Sequence, residues 1–150
     1  YLFMNVGTFA IILSMRQQGR MVEGINDLAG LSKTSPGMAL ALTIFMFSMA
    51  GIPPLAGFFS KLYVFSAAIE AGLVTLAVLG VIASVIGAFY YLRIIKVMYF
   101  DAPVEPIDDD MPRETKAIMA VTAFVTLFFF IWPSPIVDGA AQAASVLFGG

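Results

Sequence analysis

Residues 37–69 carry one charge, Lys61, and hold two adjacent prolines, Pro53 and Pro54, between Gly51 and Gly57. As one straight helix they would measure about 50 Å at 1.5 Å per residue, against about 30 Å of bilayer hydrocarbon. The run is apolar enough to enter a membrane and too long to cross it unbroken. Proline removes an intrahelical donor and its ring clashes with the preceding turn, so residues 51–57 are where the helix is expected to part. Gly51, Pro53, Pro54 and Gly57 therefore predict a discontinuous membrane helix over 37–70, with a lysine just beyond the break.

Broken backbone in a bilayer leaves N–H and C=O groups that only protein or a water-filled cavity can satisfy. Lys61 lies nine residues before Glu70, about 13 Å of helix from that end, and a lysine stem spans only about 6 Å. A charge near a helix centre costs about 2.5–3.5 kcal/mol on insertion scales, so such residues usually face a bundle interior or an ion path. Two readings follow for Lys61: a proton-carrying group, or a structural cation paired with a carboxylate outside this chain. Burial brings lysine towards the range where it exchanges protons at neutral pH, which favours the first. Ser48, Ser60, Tyr63 and Ser66 are the polar side chains placed to line such a path and hold water.

The rest of the chain reads as membrane protein too. Of its 150 residues 60% are apolar and 12% charged, against about 25% charged in soluble domains. The net charge of −2 gives no basis for a nucleic-acid partner. With no cysteine and no histidine, the chain lacks the ligands of iron–sulfur clusters and the commonest ones of zinc and haem. No phosphate loop, nucleophile elbow or metal-ligand cluster stands out. Tyr1 opens inside an apolar run with no Met before it, the pattern of a piece of a longer chain.

The expected organisation is one membrane unit over 1–150, all-α, with four transmembrane helices: about 1–15, 37–70 broken near 51–57, 72–99 and 116–133. A short interfacial tail follows at 138–148, capped by Asp138. Between Arg16 and Ser35 the apolar residues Val22, Ile25, Leu28 and Leu31 recur every third position, which predicts a short amphipathic turn of helix at the surface. Thr34 and Ser35 offer cap oxygens, and Pro36 suits a first turn. Residues 71–92 are uncharged, and Ala77, Gly80, Ser84 and Gly87 form a small-residue face suited to close packing in lipid. Tyr90, Tyr91, Arg93, Lys96 and Tyr99 mark an interface belt. Residues 100–116, with Asp108, Asp109 and Asp110, read as a solvated loop; residues 117–137 hold a Phe-rich span ending at Trp132, Pro133 and Pro135.

Alternating crossings place the 16–35 and 100–116 loops on one side. That side collects Arg16, Arg20, Lys33, Arg93, Lys96, Arg113 and Lys116, leaving only Lys61 of the 8 Lys and Arg residues. The basic loops are therefore expected in the cytoplasm, and the C-terminus on the opposite face.

The run Phe45-Met46-Phe47-Ser48-Met49-Ala50-Gly51-Ile52-Pro53-Pro54-Leu55-Ala56-Gly57-Phe58 with Lys61, preceded by Leu31-Ser32-Lys33-Thr34 and followed by Tyr90-Tyr91-Leu92-Arg93-Ile94-Ile95-Lys96-Val97-Met98-Tyr99-Phe100, resembles the C-terminal part of the subunit N family of bacterial respiratory complex I, the NADH–quinone oxidoreductase. The Gly-x-Pro-Pro-x-x-Gly-Phe element alone is shared with subunits L and M and with multisubunit cation/proton antiporters. The resemblance implies the last helices of an antiporter-like bundle in the bacterial inner (plasma) membrane, with Lys61 matching the family's ionisable residue of a proton exit half-channel. It implies a non-redox subunit of an enzyme complex, coupled to quinone reduction elsewhere. NADH, flavin, iron–sulfur clusters and quinone would belong to the whole complex, with no cofactor in this chain. Its partners would be other membrane subunits of complex I, the lipid bilayer, protons and internal water. The alternatives are a subunit of a cation/proton antiporter, or a structural membrane subunit that moves no proton.

Overall fold

A computed structural model describes residues 1–108, 111–131 and 133–148 of the chain, so Asp109, Asp110 and Trp132 lie outside the described residues. Among the described residues seven α-helices dominate: α1 (Leu2–Ser14), α2 (Leu31–Thr34), α3 (Pro36–Ala50), α4 (Ala56–Glu70), α5 (Val74–Phe100), α6 (Arg113–Phe128) and α7 (Ser134–Phe148). A two-stranded antiparallel hairpin, β1 (Arg16–Gln17) with β2 (Arg20–Met21), and a 3-10 turn (Ile25–Leu28) lie between α1 and α2.

Helix boundaries follow the proline and glycine punctuation with four corrections. The chain leaves helical geometry at Gly51 and re-enters it at Ala56, so Gly57 belongs to the second half-helix and not to the break. The last span begins at Arg113, directly after Pro112, and stops at Phe128, short of the predicted 133. The tail helix starts at Ser134, because the Pro133 carbonyl already accepts from the Ile136 and Val137 N–H groups. Asp138 thus sits inside α7 and not at its start. The every-third-residue pattern is divided as well. Ile25–Leu28 forms a 3-10 turn, whose period of 3.0 suits that spacing, while Val22 lies outside any helix and Leu31 opens α2.

Helix length and apolarity do not by themselves establish the four expected spans. Among the described residues only α5 is both long and apolar enough to cross a membrane by itself. Just 6% of its most apolar stretch is buried. Val78, Val85, Ile86 and Phe89 are each more than half exposed, a surface that water does not support and lipid or protein does. α1 and α3 are apolar but shorter, and α4 follows α3 only after the break.

The packed core sits at one end. Ile11 and Met15 from the end of α1, Leu31, Leu42 and Phe45, and Met98 from the end of α5 are all but fully buried there, together with Ile107. Phe45 is completely enclosed, its ring lying against Gly7 of α1 where Thr122 of α6 also approaches. α4 and α5 are neighbours joined by three residues, 71–73. Of the small-residue face, Ala77 is buried and Gly80 lies under the Phe65 ring, whereas Gly87 meets only Tyr91 of its own helix.

The loops at the packed end form one layer. The Asp108 N–H donates to the Arg16 carbonyl, the Val104 N–H to Ala29 and the Gly30 N–H to Val97. The Asp108 carboxylate accepts from the Gln18 N–H at 3.3 Å and the Gly19 N–H at 2.9 Å, and the Gln17 amide reaches the Asp27 and Glu105 carbonyls. The stretch read as a solvated loop is therefore a strap across the hairpin. Lys96 pairs with Asp101 at the foot of α5.

Candidate functional site

The break between α3 and α4 is where the predicted residues converge. In a continuous helix, residues nine apart are separated by about 13 Å. Here the Gly57 N–H donates to the Ser48 Oγ at 2.9 Å, so α4 begins alongside the last turn of α3. Gly51 makes the exit with φ of +88°, a left-handed conformation that favours glycine, and the Pro53–Pro54 bond is cis. Gly57 permits the close approach: a Cβ built there would fall 1.8 Å from the Ser48 carbonyl oxygen.

Each half-helix satisfies the other's terminus. At the end of α3 the Phe47 carbonyl accepts from the Gly51 and Ile52 N–H groups, and Ser48 from Gly51. The Ala50 carbonyl accepts from Lys61 Nζ at 3.2 Å. At the start of α4 the cap position falls to Leu55, which has no side-chain acceptor, and Ser48 supplies one from α3. A cation thus meets the carbonyl end of one helix and a hydroxyl lone pair meets the N–H end of the next, as the partial charges at helix ends favour.

Lys61 is half-buried. Among the described residues no charged side chain is fully buried, so the enclosed lysine expected from sequence is partly open within this chain. Its stem lies over Gly51, and it faces a concavity of about 290 Å³ bordered by Phe58, Leu62, Phe65, Ser66 and Ile69.

The four polar candidates are not brought together. Ser66 shares the Lys61 concavity. Ser48, at 0% exposure, is engaged in the Gly57 bond. Ser60 and Tyr63 border a different, larger cavity of about 650 Å³ between α1, α4, α6 and α7, where Ser60 donates back to the Gly57 carbonyl and Tyr63 is mostly exposed. Sequence reasoning did not find the linking role of Ser48 or the Ala50 carbonyl. The first needs the path of the loop, and the second is backbone, which any residue provides.

Residues 1–87 match the family described as NADH:quinone oxidoreductase/Mrp antiporter, TM. The chain is 62% identical over 148 residues to NADH-quinone oxidoreductase subunit N of Paramagnetospirillum magneticum, covering 99% of this chain and 30% of that protein. It is 63% identical over 147 residues to the subunit N of Rhodospirillum rubrum, covering 98% and 30%. The chain therefore spans about 30% of the length of the curated relatives it matches, and corresponds to their C-terminal part. Among solved structures, respiratory complex I from Thermus thermophilus with bound aureothin contains a chain that aligns with TM-score 0.75 and 25% identity, covering 91% of this chain and 33% of that one. The Mrp complex from a Dietzia species shares the fold, at TM-score 0.77 and 20% identity over 97% of this chain and 35% of that one. The resemblance read from the broken-helix motif is borne out: the chain belongs to the NADH:quinone oxidoreductase/Mrp antiporter transmembrane family, and within it is similar to subunit N.

Proposed function

We propose that this chain is a section of a proton-translocating membrane subunit of NADH–quinone oxidoreductase, and that Lys61 loads and releases protons in a half-channel at the helix break. The observation that carries this reading is Lys61 Nζ, 3.2 Å from the Ala50 carbonyl and facing the concavity that Ser66 borders. As ammonium, Lys61 donates to that carbonyl. Release breaks one Nζ–H bond, with the proton passing to water in the concavity and the electron pair staying on nitrogen; reloading reverses it. About 290 Å³ accommodates several waters at about 30 Å³ each.

α1, the α3–α4 pair, α5 and α6 each cross the bilayer, with the broken pair counting as one crossing and α7 lying at the interface. The hairpin, α2 and the strap face the cytoplasm, since seven of the 8 cations are sequence neighbours of that end. Exposed apolar faces on α1 and α5 meet lipid or other membrane subunits of the complex. Having neither cysteine nor histidine, this chain does not fit an iron–sulfur cluster, and the redox chemistry belongs to other subunits.

Replacing Lys61 by Ala in the complete complex tests the assignment through NADH-driven proton uptake into sealed vesicles, with NADH oxidation and assembly followed on the same preparations. Reduced uptake in an assembled complex is expected. Full uptake would end the relay reading.

A further inference from the structure

We propose that Ser48 is the positioning residue for Lys61: its hydroxyl holds the first turn of α4 against the last turn of α3, and so sets the ammonium on the Ala50 carbonyl. The inference rests on the relay reading, because it assigns Ser48 a part in proton transfer and not in packing alone.

Lys61 and Gly57 lie on the same helix, one turn apart, whereas Ala50 belongs to the helix before the break. The Lys61 to Ala50 distance is therefore only as well defined as the placement of α4 on α3. Between them run residues 51–55, with two prolines that donate no backbone hydrogen bond. The Gly57 N–H to Ser48 Oγ bond crosses that gap one helical turn from Lys61, inside the protein, where Ser48 is 0% exposed. In such a sheltered, low-dielectric place a hydrogen bond is electrostatically stronger than in water. Ser48 cannot serve the concavity directly, since it does not border it. Its effect on the proton must pass through the position of Lys61.

Shape and hydrogen bonding separate cleanly at this site. Thr keeps the hydroxyl oxygen, and Val has the same shape without it. Four variants are made in the full-length subunit within the assembled complex: Ser48→Ala, Ser48→Thr, Ser48→Val and, as reference, Lys61→Ala. The readout is protons taken up per NADH oxidised, with assembly checked for each. The expected result is that Ser48→Ala and Ser48→Val lose proton yield towards the level of Lys61→Ala, while Ser48→Thr keeps more of it than Val does. A packing role would lower Thr and Val alike, because they fill the same volume. If Ser48→Ala does not assemble, the Thr and Val pair decides: a higher yield in Thr supports the positioning role, and equal yields overturn it. Wild-type yield in Ser48→Ala beside a deficient Lys61→Ala overturns this inference alone. Full yield in Lys61→Ala overturns the relay reading beneath it.

Discussion

At the scale of single residues, the helix break depends on what is missing as much as on what is present. A methyl group at Gly57 would stand 1.8 Å from the Ser48 carbonyl oxygen and 2.6 Å from its carbon. Both atoms are backbone of a packed helix and have no rotamer to escape into. Gly57→Ala should therefore force the two half-helices apart, with a cost at or above the roughly 1–3 kcal/mol of an overpacked core. Gly37→Ala is the control: it lies in the first turn of α3, nothing stands within 4 Å of its new methyl, and helix propensity favours Ala over Gly by up to about 1 kcal/mol, the value in a helix interior. Thermal stability of the purified complex checks both, with a lower midpoint expected for Gly57→Ala and an unchanged or higher one for Gly37→Ala. Lys61 and the prolines were legible in the sequence because an isolated charge and a paired breaker contrast with an apolar run. Ser48 was legible only as a polar group. Its partner is nine positions away across a non-helical turn, a separation that no helical or strand period marks.

Among elements, the α3–α4 interruption was readable and the surface layer was not. Length forced the break, since no bilayer accommodates about 50 Å of apolar helix without tilt or interruption. By contrast, β1 and β2 have two residues each, too few for alternation to show, and the strap is held by bonds between residues some ninety positions apart. Period-three spacing over 22–31 predicts a short turn of helix, and Ile25–Leu28 forms one of the 3-10 kind. The strap makes its own prediction. The Asp108 carboxylate receives two successive N–H groups at the hairpin tip, where Gln18 and Gly19 both have positive φ. Asp108→Ala should speed amide hydrogen exchange at Gln18 and Gly19 about fivefold, for a net hydrogen-bond contribution of about 1 kcal/mol. Exchange in α5 should stay as it was. Unchanged rates at the two hairpin amides would show that the clasp does not hold in solution.

Across the whole molecule, the burial pattern is lopsided: a tight core at the basic end, and apolar faces open along α1, α4 and α5. The curated relatives are about three times longer than this chain, which accords with a piece whose open faces meet other helices or lipid. The orientation proposed from charge is testable here, because the chain contributes no cysteine of its own. Thr34→Cys, at an exposed site beside Lys33, should react with an impermeant thiol reagent only from the cytoplasmic side of sealed vesicles. Reaction from the outer side alone would invert the topology. Lys61, as proposed, works by giving up a proton and not by standing as a fixed cation. Lys61→Arg addresses it most directly, since arginine keeps the charge and the reach to the Ala50 carbonyl but does not release its proton at neutral pH. The measurement is NADH-driven proton uptake by the assembled Lys61→Arg complex in sealed vesicles. Reduced uptake per NADH in a complex that still assembles is the result expected; uptake equal to that of the unaltered complex would contradict the account.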